Sequence, residues 1–227
     1  VHILFVMQKN NMEKWYERYE SQRWYKNTFL VNNFRQISRA TKGDREWNNI
    51  EDSGCHFVCL SMIIGINPAY LSSKMKELKF FKPDYSLKSK KLNGRSTHLV
   101  WDQNKPDIKA KEVKLKKVYH PKRGIIDLSI QFIGIKKTNN IDCAKSLIED
   151  NKKYGYHIIC GYDDHSRLVA GKSKGKYFLW DPDLSDTDLQ KNIRGQYTLE
   201  RFYKEYSNKK EFANKEAEYL IYSVIFK

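Results

Sequence analysis

Cys55 and Cys59 stand four residues apart in EDSGCHFVCLSMIIG, between Glu51 and Gly65, and much later in the chain His165 and Asp181 sit at the ends of HSRLVAGKSKGKYFLWD. A thiol, an imidazole and a carboxylate are the groups that acyl transfer through a covalent intermediate requires. The sulfur attacks, the imidazole takes and returns the proton, and the acid orients the imidazole. A thiol in the first turn of a helix is favoured as thiolate, because free amide N–H groups and the helix dipole lower its pKa. Cys55 follows Asp52-Ser53-Gly54 at such an entrance. Cys59 lies one turn deeper among Leu60, Met62 and Ile63, where burial raises the pKa and makes a cysteine a small packing residue. The candidate nucleophile is therefore Cys55.

These groups need elements that hold them. Val58, Cys59 and Met62 recur at helical spacing after Ser53, and Gly65 stands at the expected stop, so a short buried helix carries Cys55. Asn67-Pro68 starts a second helix, since Asn caps and Pro is tolerated at the first helical position. Three strand-like runs, 156 to 162, 165 to 171 and 176 to 181, follow a helix over 142 to 153. Pairing of the last two about residue 173 predicts His165 and Asp181 as near cross-strand neighbours, with Gly175 holding a bulge that adjusts the register by one.

Elsewhere the spacing predicts a helix from Met12 to about Arg39, an aromatic stripe running through Trp15, Tyr19, Trp24 and Phe34. A loop follows at TKGDREWNN. THLVW, EVKLKKVYH and IIDLSIQFIGI read as strands between Pro and Gly breaks, IIDLSIQFI being compatible with a helix as well, and the tail reads as a helix, YTLERFYKEYSNKKEF, then a strand, AEYLIYSVIF.

Composition bounds the function. At 227 residues and 40% hydrophobic the chain can bury a substantial core. VHILFVM at the start is too short for a membrane span and lacks the flanks of a signal peptide. Four cysteines are sparse for a chain of this size, which points to reduced thiols and a cytoplasmic setting. There is no pair of CxxC motifs and the six His do not cluster with the Cys, so no metal and no cofactor is implied. The net charge of +15 favours an acidic partner. Its Lys-rich runs, 82 to 95 and 109 to 123, alternate with apolar positions as an edge strand would, so a solvated face explains them better than a nucleic-acid surface.

SGCHFVCLSMIIG resembles the nucleophile segment of papain-like cysteine peptidases of the bacteriocin-processing type, which remove double-glycine leader peptides. HSRLVAG followed by GKYFLWDPD is similar to that family's second signature: a His opening a strand, a Gly ending it, and a further strand closing on Asp-Pro. The resemblance covers about Asn48 to Pro182. It implies an α+β fold, papain-like, with N-terminal helices packed on an antiparallel sheet, in a domain spanning 46–227 behind a helical extension, 1–45. It also implies a catalytic triad of Cys55, His165 and Asp181 acting on a peptide or protein substrate. Asn49 stands where the family has the Gln whose amide helps form the oxyanion hole, and His56 replaces the small residue after the nucleophile.

Two readings compete with a cysteine peptidase or amide hydrolase. One is a catalytically inactive papain-like module that binds a peptide or acidic partner. The other is a basic nucleic-acid-binding protein, for which charge is the sole support, since no zinc knuckle, GxxG loop or RNA-recognition signature is present.

Overall fold

The computed structural model describes residues 12–14, 16, 19–20, 22–25, 55–77, 112–152, 156–160, 165–183, 195–210 and 215–227. In chain order these residues form β1 (Met12–Lys14), a turn of 3-10 helix (Gln22–Tyr25), α1 (Cys55–Ile64), α2 (Pro68–Glu77), β2 (Glu112–His120) and β3 (Gly124–Thr138). There follow α3 (Ile141–Asn151), β4 (Tyr156–Cys160), β5 (Ser166–Ser173), β6 (Lys176–Trp180), α4 (Leu199–Ser207) and β7 (Ala217–Phe226). The class is α+β, built on an antiparallel sheet.

Along the sheet the order is β1-β5-β4-β7-β3-β2, with β6 on β5. One side of β5 is shared by β4, at Ser166–Leu168, and β1, at Gly171–Ser173, and β6 takes the other side. Helices cover both faces. Leu168, Ala170, Phe178, Trp180, Leu220 and Tyr222 join α1 in one core, whereas Val169, Tyr177, Leu179 and Tyr219 join Ala144 and Ile148 of α3 and Phe202 of α4 in the other. This even–odd division is the period-two consequence of strand geometry. A strand covered on both faces is buried throughout, and β5 is buried from Ser166 to Gly171.

The helices end and begin where local chemistry dictates. All ten residues of α1 are buried, as expected of a helix apolar on every side. It stops at Gly65, whose φ of +78° is a left-handed conformation. A Cβ there would come within 3.1 Å of His120 Nε2, and that nitrogen donates to the Ile64 carbonyl. A side chain from β2 thus satisfies the exposed end of α1. Asn67 Oδ1 accepts from the N–H groups of Ala69 (2.9 Å) and Tyr70 (3.2 Å), and Asn140 caps α3 in the same way. Leu199, Phe202 and Tyr206 form the buried stripe of α4.

On β2 the Lys residues face solvent between buried Val113, Leu115 and Val118, and the strand lies at the end of the sheet order, as the alternation predicts. The helix expected from Met12 to Arg39 is not what the described part of that stretch adopts. Met12–Lys14 is a strand paired with Gly171–Ser173, and Gln22–Tyr25 is a single 3-10 turn. The aromatic periodicity misled because Tyr16 and Tyr19 bury on Trp180 from an irregular segment, while β5 offers Met12–Lys14 a free row of hydrogen bonds. Asn49, the THLVW run and the Lys-rich segment 82–95 lie outside the described residues.

Candidate active site

Cys55 is the first residue of α1 and His165 immediately precedes β5. Asp181 immediately follows β6. The hairpin between them turns through Lys174 (φ +50°) and Gly175 (φ +78°), two successive left-handed residues, so the strands are joined by a two-residue turn of the type that matches their twist. From that turn Ser173 pairs with Lys176, Lys172 with Tyr177 and Gly171 with Phe178. The register then slips, and Val169 pairs with Leu179 and Leu168 with Trp180.

This slip decides which face Asp181 occupies. Continuing the first register would set Asp181 opposite position 168, on the α1 side of the sheet. The shifted register sets it opposite Arg167, on the face that alternation also gives to position 165. The bulge lies between Val169 and Gly171 rather than at Gly175, and the turn is centred on Lys174–Gly175 rather than on residue 173. Asp181 is consequently directly across from Arg167 and diagonal to His165, and its carboxylate reaches both. His165 Nε2 donates to Oδ1 at 2.6 Å and Arg167 Nε donates to Oδ2 at 2.9 Å.

The other face of the strand start belongs to the thiol. Ser166 shares the side of Leu168 that packs on α1. Its N–H donates to Cys55 Sγ at 3.4 Å, while Cys59 Sγ donates to its carbonyl at 3.7 Å. The two cysteines, one helical turn apart, thus bracket a single residue of β5. His165 lies just outside the strand, where its ring acts on the Cys55 thiol to lower its pKa. Thiol, imidazole and carboxylate therefore form one connected line across the end of the sheet.

The charge balance follows from these contacts. Burial pushes the Cys55 thiol up, but the hydrogen bond and charge of His165, with the N–H and hydroxyl of Ser166, hold it below its ordinary value of 9.0. Burial acts on His165 to lower its pKa, yet its bonds to Asp181 and Cys55 raise it to about 10. Asp181 is lowered to about 2 against the opposing effect of burial, by the hydrogen bond and charge of His165, by Arg167 and by the Asp183 N–H. The site favours a thiolate–imidazolium pair beside an ionised carboxylate.

Arg167 is buried, with 8% of its surface exposed. Its Nη1 donates to Tyr206 Oη (3.2 Å) and to the His165 carbonyl (3.4 Å), and its guanidinium lies over the Phe202 ring at 5.5 Å. From the opposite direction Tyr19 Oη donates to the backbone carbonyl of Asp181 at 2.5 Å, and Arg23 Nε pairs with Asp183 at 2.7 Å. His56 turns into the core, its Nε2 2.6 Å from Tyr222 Oη.

Ser166, Arg167, Tyr222 and Tyr19 were not legible as site residues. Their one sequence signal is Ser166-Arg167 itself, a polar pair opening an otherwise apolar strand. Among the described residues Cys55, Cys59 and Cys143 are free thiols and no group of three His, Cys, Asp or Glu is placed to hold a metal ion. No single helix among them is long and apolar enough to cross a membrane. Comparison of the chain with protein-family models, with curated proteins and with solved structures finds no match.

Proposed function

We propose that the protein is a papain-like cysteine peptidase or amide hydrolase that acts by acyl transfer through Cys55, His165 and Asp181. The observation that carries this reading is how the three groups meet: the Cys55 sulfur accepts from the Ser166 N–H at 3.4 Å, and the preceding residue, His165, has its Nε2 2.6 Å from Asp181 Oδ1.

The Cys55 thiolate attacks the carbonyl carbon of an amide, and the carbonyl π electrons move onto oxygen. The backbone N–H of Cys55, the first residue of α1, serves as a donor to that developing oxyanion. The His165 imidazolium gives its proton to the departing amine, the C–N bond breaks, and a thioester with Cys55 remains. Water, deprotonated by His165, attacks the thioester carbonyl, the C–S bond breaks to release the carboxylic acid product, and the thiolate–imidazolium pair is restored. Asp181 keeps the imidazole oriented and stabilises its cationic form throughout. The substrate is a peptide or protein, of acidic character given the net charge of +15 and the exposed Lys114, Lys116 and Lys117 of β2.

Iodoacetamide alkylation with peptide mapping tests the site. Cys55 is expected to react at neutral pH faster than a model thiol and to lose that advantage in His165→Ala. Cys55 reacting no faster than a model thiol in the native protein would sink the proposal. Cleavage of a peptide library, abolished by Cys55→Ala, identifies the substrate.

A further inference from the structure

A second polar line reaches the thiol from the core side. Tyr222, on β7, is 1% exposed, and its hydroxyl lies 2.6 Å from His56 Nε2. His56 is 3% exposed, and its Nδ1 lies 3.4 Å from Ser166 Oγ. Ser166 also donates its N–H to the Cys55 sulfur at 3.4 Å, which sets its hydroxyl on the thiol's side, where it acts to lower the thiol's pKa. Three elements, β7, α1 and β5, each contribute one member to this line.

Its polarity follows from the acceptor at its end. A thiolate only accepts, so Ser166 donates its hydroxyl proton to sulfur and its oxygen is left to accept from His56 Nδ1–H. Neutral His56 then has a lone pair on Nε2, which accepts the Tyr222 hydroxyl proton. Every donor points toward sulfur, and each bond polarises the next. The reverse polarity would leave the Ser166 oxygen lone pairs facing the thiolate.

We propose that His56 and Tyr222 are positioning residues for the Cys55 thiolate, acting through Ser166. This rests on the reading of Cys55 as the nucleophile. It also gives a role to the histidine that stands where the resembled family has a small residue: His56 fixes the hydroxyl that supports the thiolate from behind, while His165 holds it in front.

The test is the pH dependence of Cys55 alkylation, mapped by peptide so that other cysteines do not contribute. Among the described residues, the titratable or charged groups around the thiol are His56 and Cys59 on α1, His165 before β5, Asp181 after β6 with Arg167 beyond it, and Tyr222 on β7, and no variant removes more than one of them. Ser166→Ala and His56→Leu are expected to move the alkylation limb upward by about one pH unit, which is about tenfold slower reaction at a fixed pH below it. Tyr222→Phe, which removes only a hydroxyl, shifts it in the same direction by less. His56→Asn, whose amide nitrogen overlays Nδ1, recovers most of the loss.

Should His56→Leu fail to fold, Ser166→Ala and Tyr222→Phe still decide the matter, with thermal unfolding as the check that each is native. An unchanged limb in folded Ser166→Ala and Tyr222→Phe overturns the inference while leaving His165-dependent reactivity intact. A native protein whose Cys55 limb is that of a model thiol and is unaffected by His165→Ala overturns the nucleophile reading, and this one with it.

Discussion

Arg167 Nε lies 2.9 Å from Oδ2 of Asp181, on the carboxylate whose Oδ1 receives His165 Nε2. The acid therefore has a partner at each oxygen and cannot turn away from the imidazole without breaking a charged hydrogen bond. Arg167 is itself fixed by Tyr206 Oη and the Phe202 ring, so α4 reaches the candidate site through it.

Replacing Arg167 by Met leaves one oxygen of a buried carboxylate uncompensated, and removing one partner of such a pair costs about 3–5 kcal/mol. Arg167→Lys keeps the charge and loses the contacts of Nη1, so its loss is smaller. Urea unfolding of the three proteins checks the order, and equal losses for Met and Lys would show that the planar fork, rather than the charge, is what matters.

The pKa of Asp181 falls from an ordinary 3.8 to about 2 on folding. A depressed carboxylate stabilises the fold above its unfolded pKa, and that contribution is lost as pH falls through the folded value. His165, raised to about 10, contributes fully below its ordinary 6.5 and so does not alter this acid limb. The stability gap between the native protein and Asp181→Asn is expected to close between pH 3.8 and about 2. Chemical denaturation at a series of acid pH values measures it, and a constant gap counts against an ionised, paired Asp181.

Tyr19 and Arg23 both tie the N-terminal segment to the Asp181–Asp183 turn, but in different surroundings. The Tyr19 bond to the Asp181 carbonyl is buried, and Tyr19→Phe is expected to cost about 0.5–1.5 kcal/mol. The Arg23–Asp183 pair is exposed on both sides, and Arg23→Ala is expected to cost about 0–1 kcal/mol at low salt and less as added salt screens the pair. Thermal unfolding at low and high salt separates the two.

Gly175 has φ +78° and open space where a Cβ would stand. Gly175→Ala therefore tests backbone strain alone, about 1–2 kcal/mol for an L-residue in the left-handed region. Gly175→Asn, which tolerates that region, is expected to cost less. Equal stability of the Gly, Ala and Asn forms would show that the turn does not require its left-handed geometry.

Much of the local structure was readable because it depends on local chemistry. Helical spacing and Gly65 delimit α1, Asn67-Pro68 opens α2, and the expected strands at 165–171 and 176–181 correspond closely to β5 and β6. Asp142 was the expected start of α3, and Asn140 two residues earlier is its cap. The N-terminal stretch was misread because a helical stripe of aromatics cannot be told, one residue at a time, from aromatics that pack individually onto a tryptophan.

The sequence by itself determined that a cysteine enters a buried helix at its N-terminus and that a His and an Asp flank a tight hairpin, because periodicity, capping and turn preference act within a few residues of where they are written. Which face Asp181 takes was decided only in the tertiary structure. A one-residue slip between Val169 and Gly171 reverses the alternation, and whether a strand bulges depends on what covers its two faces. The partners of the thiol beyond His165 were decided there too. Ser166, His56 and Tyr222 meet because α1, β5 and β7 pack against one another, a relationship between residues distant in the chain that no local pattern encodes.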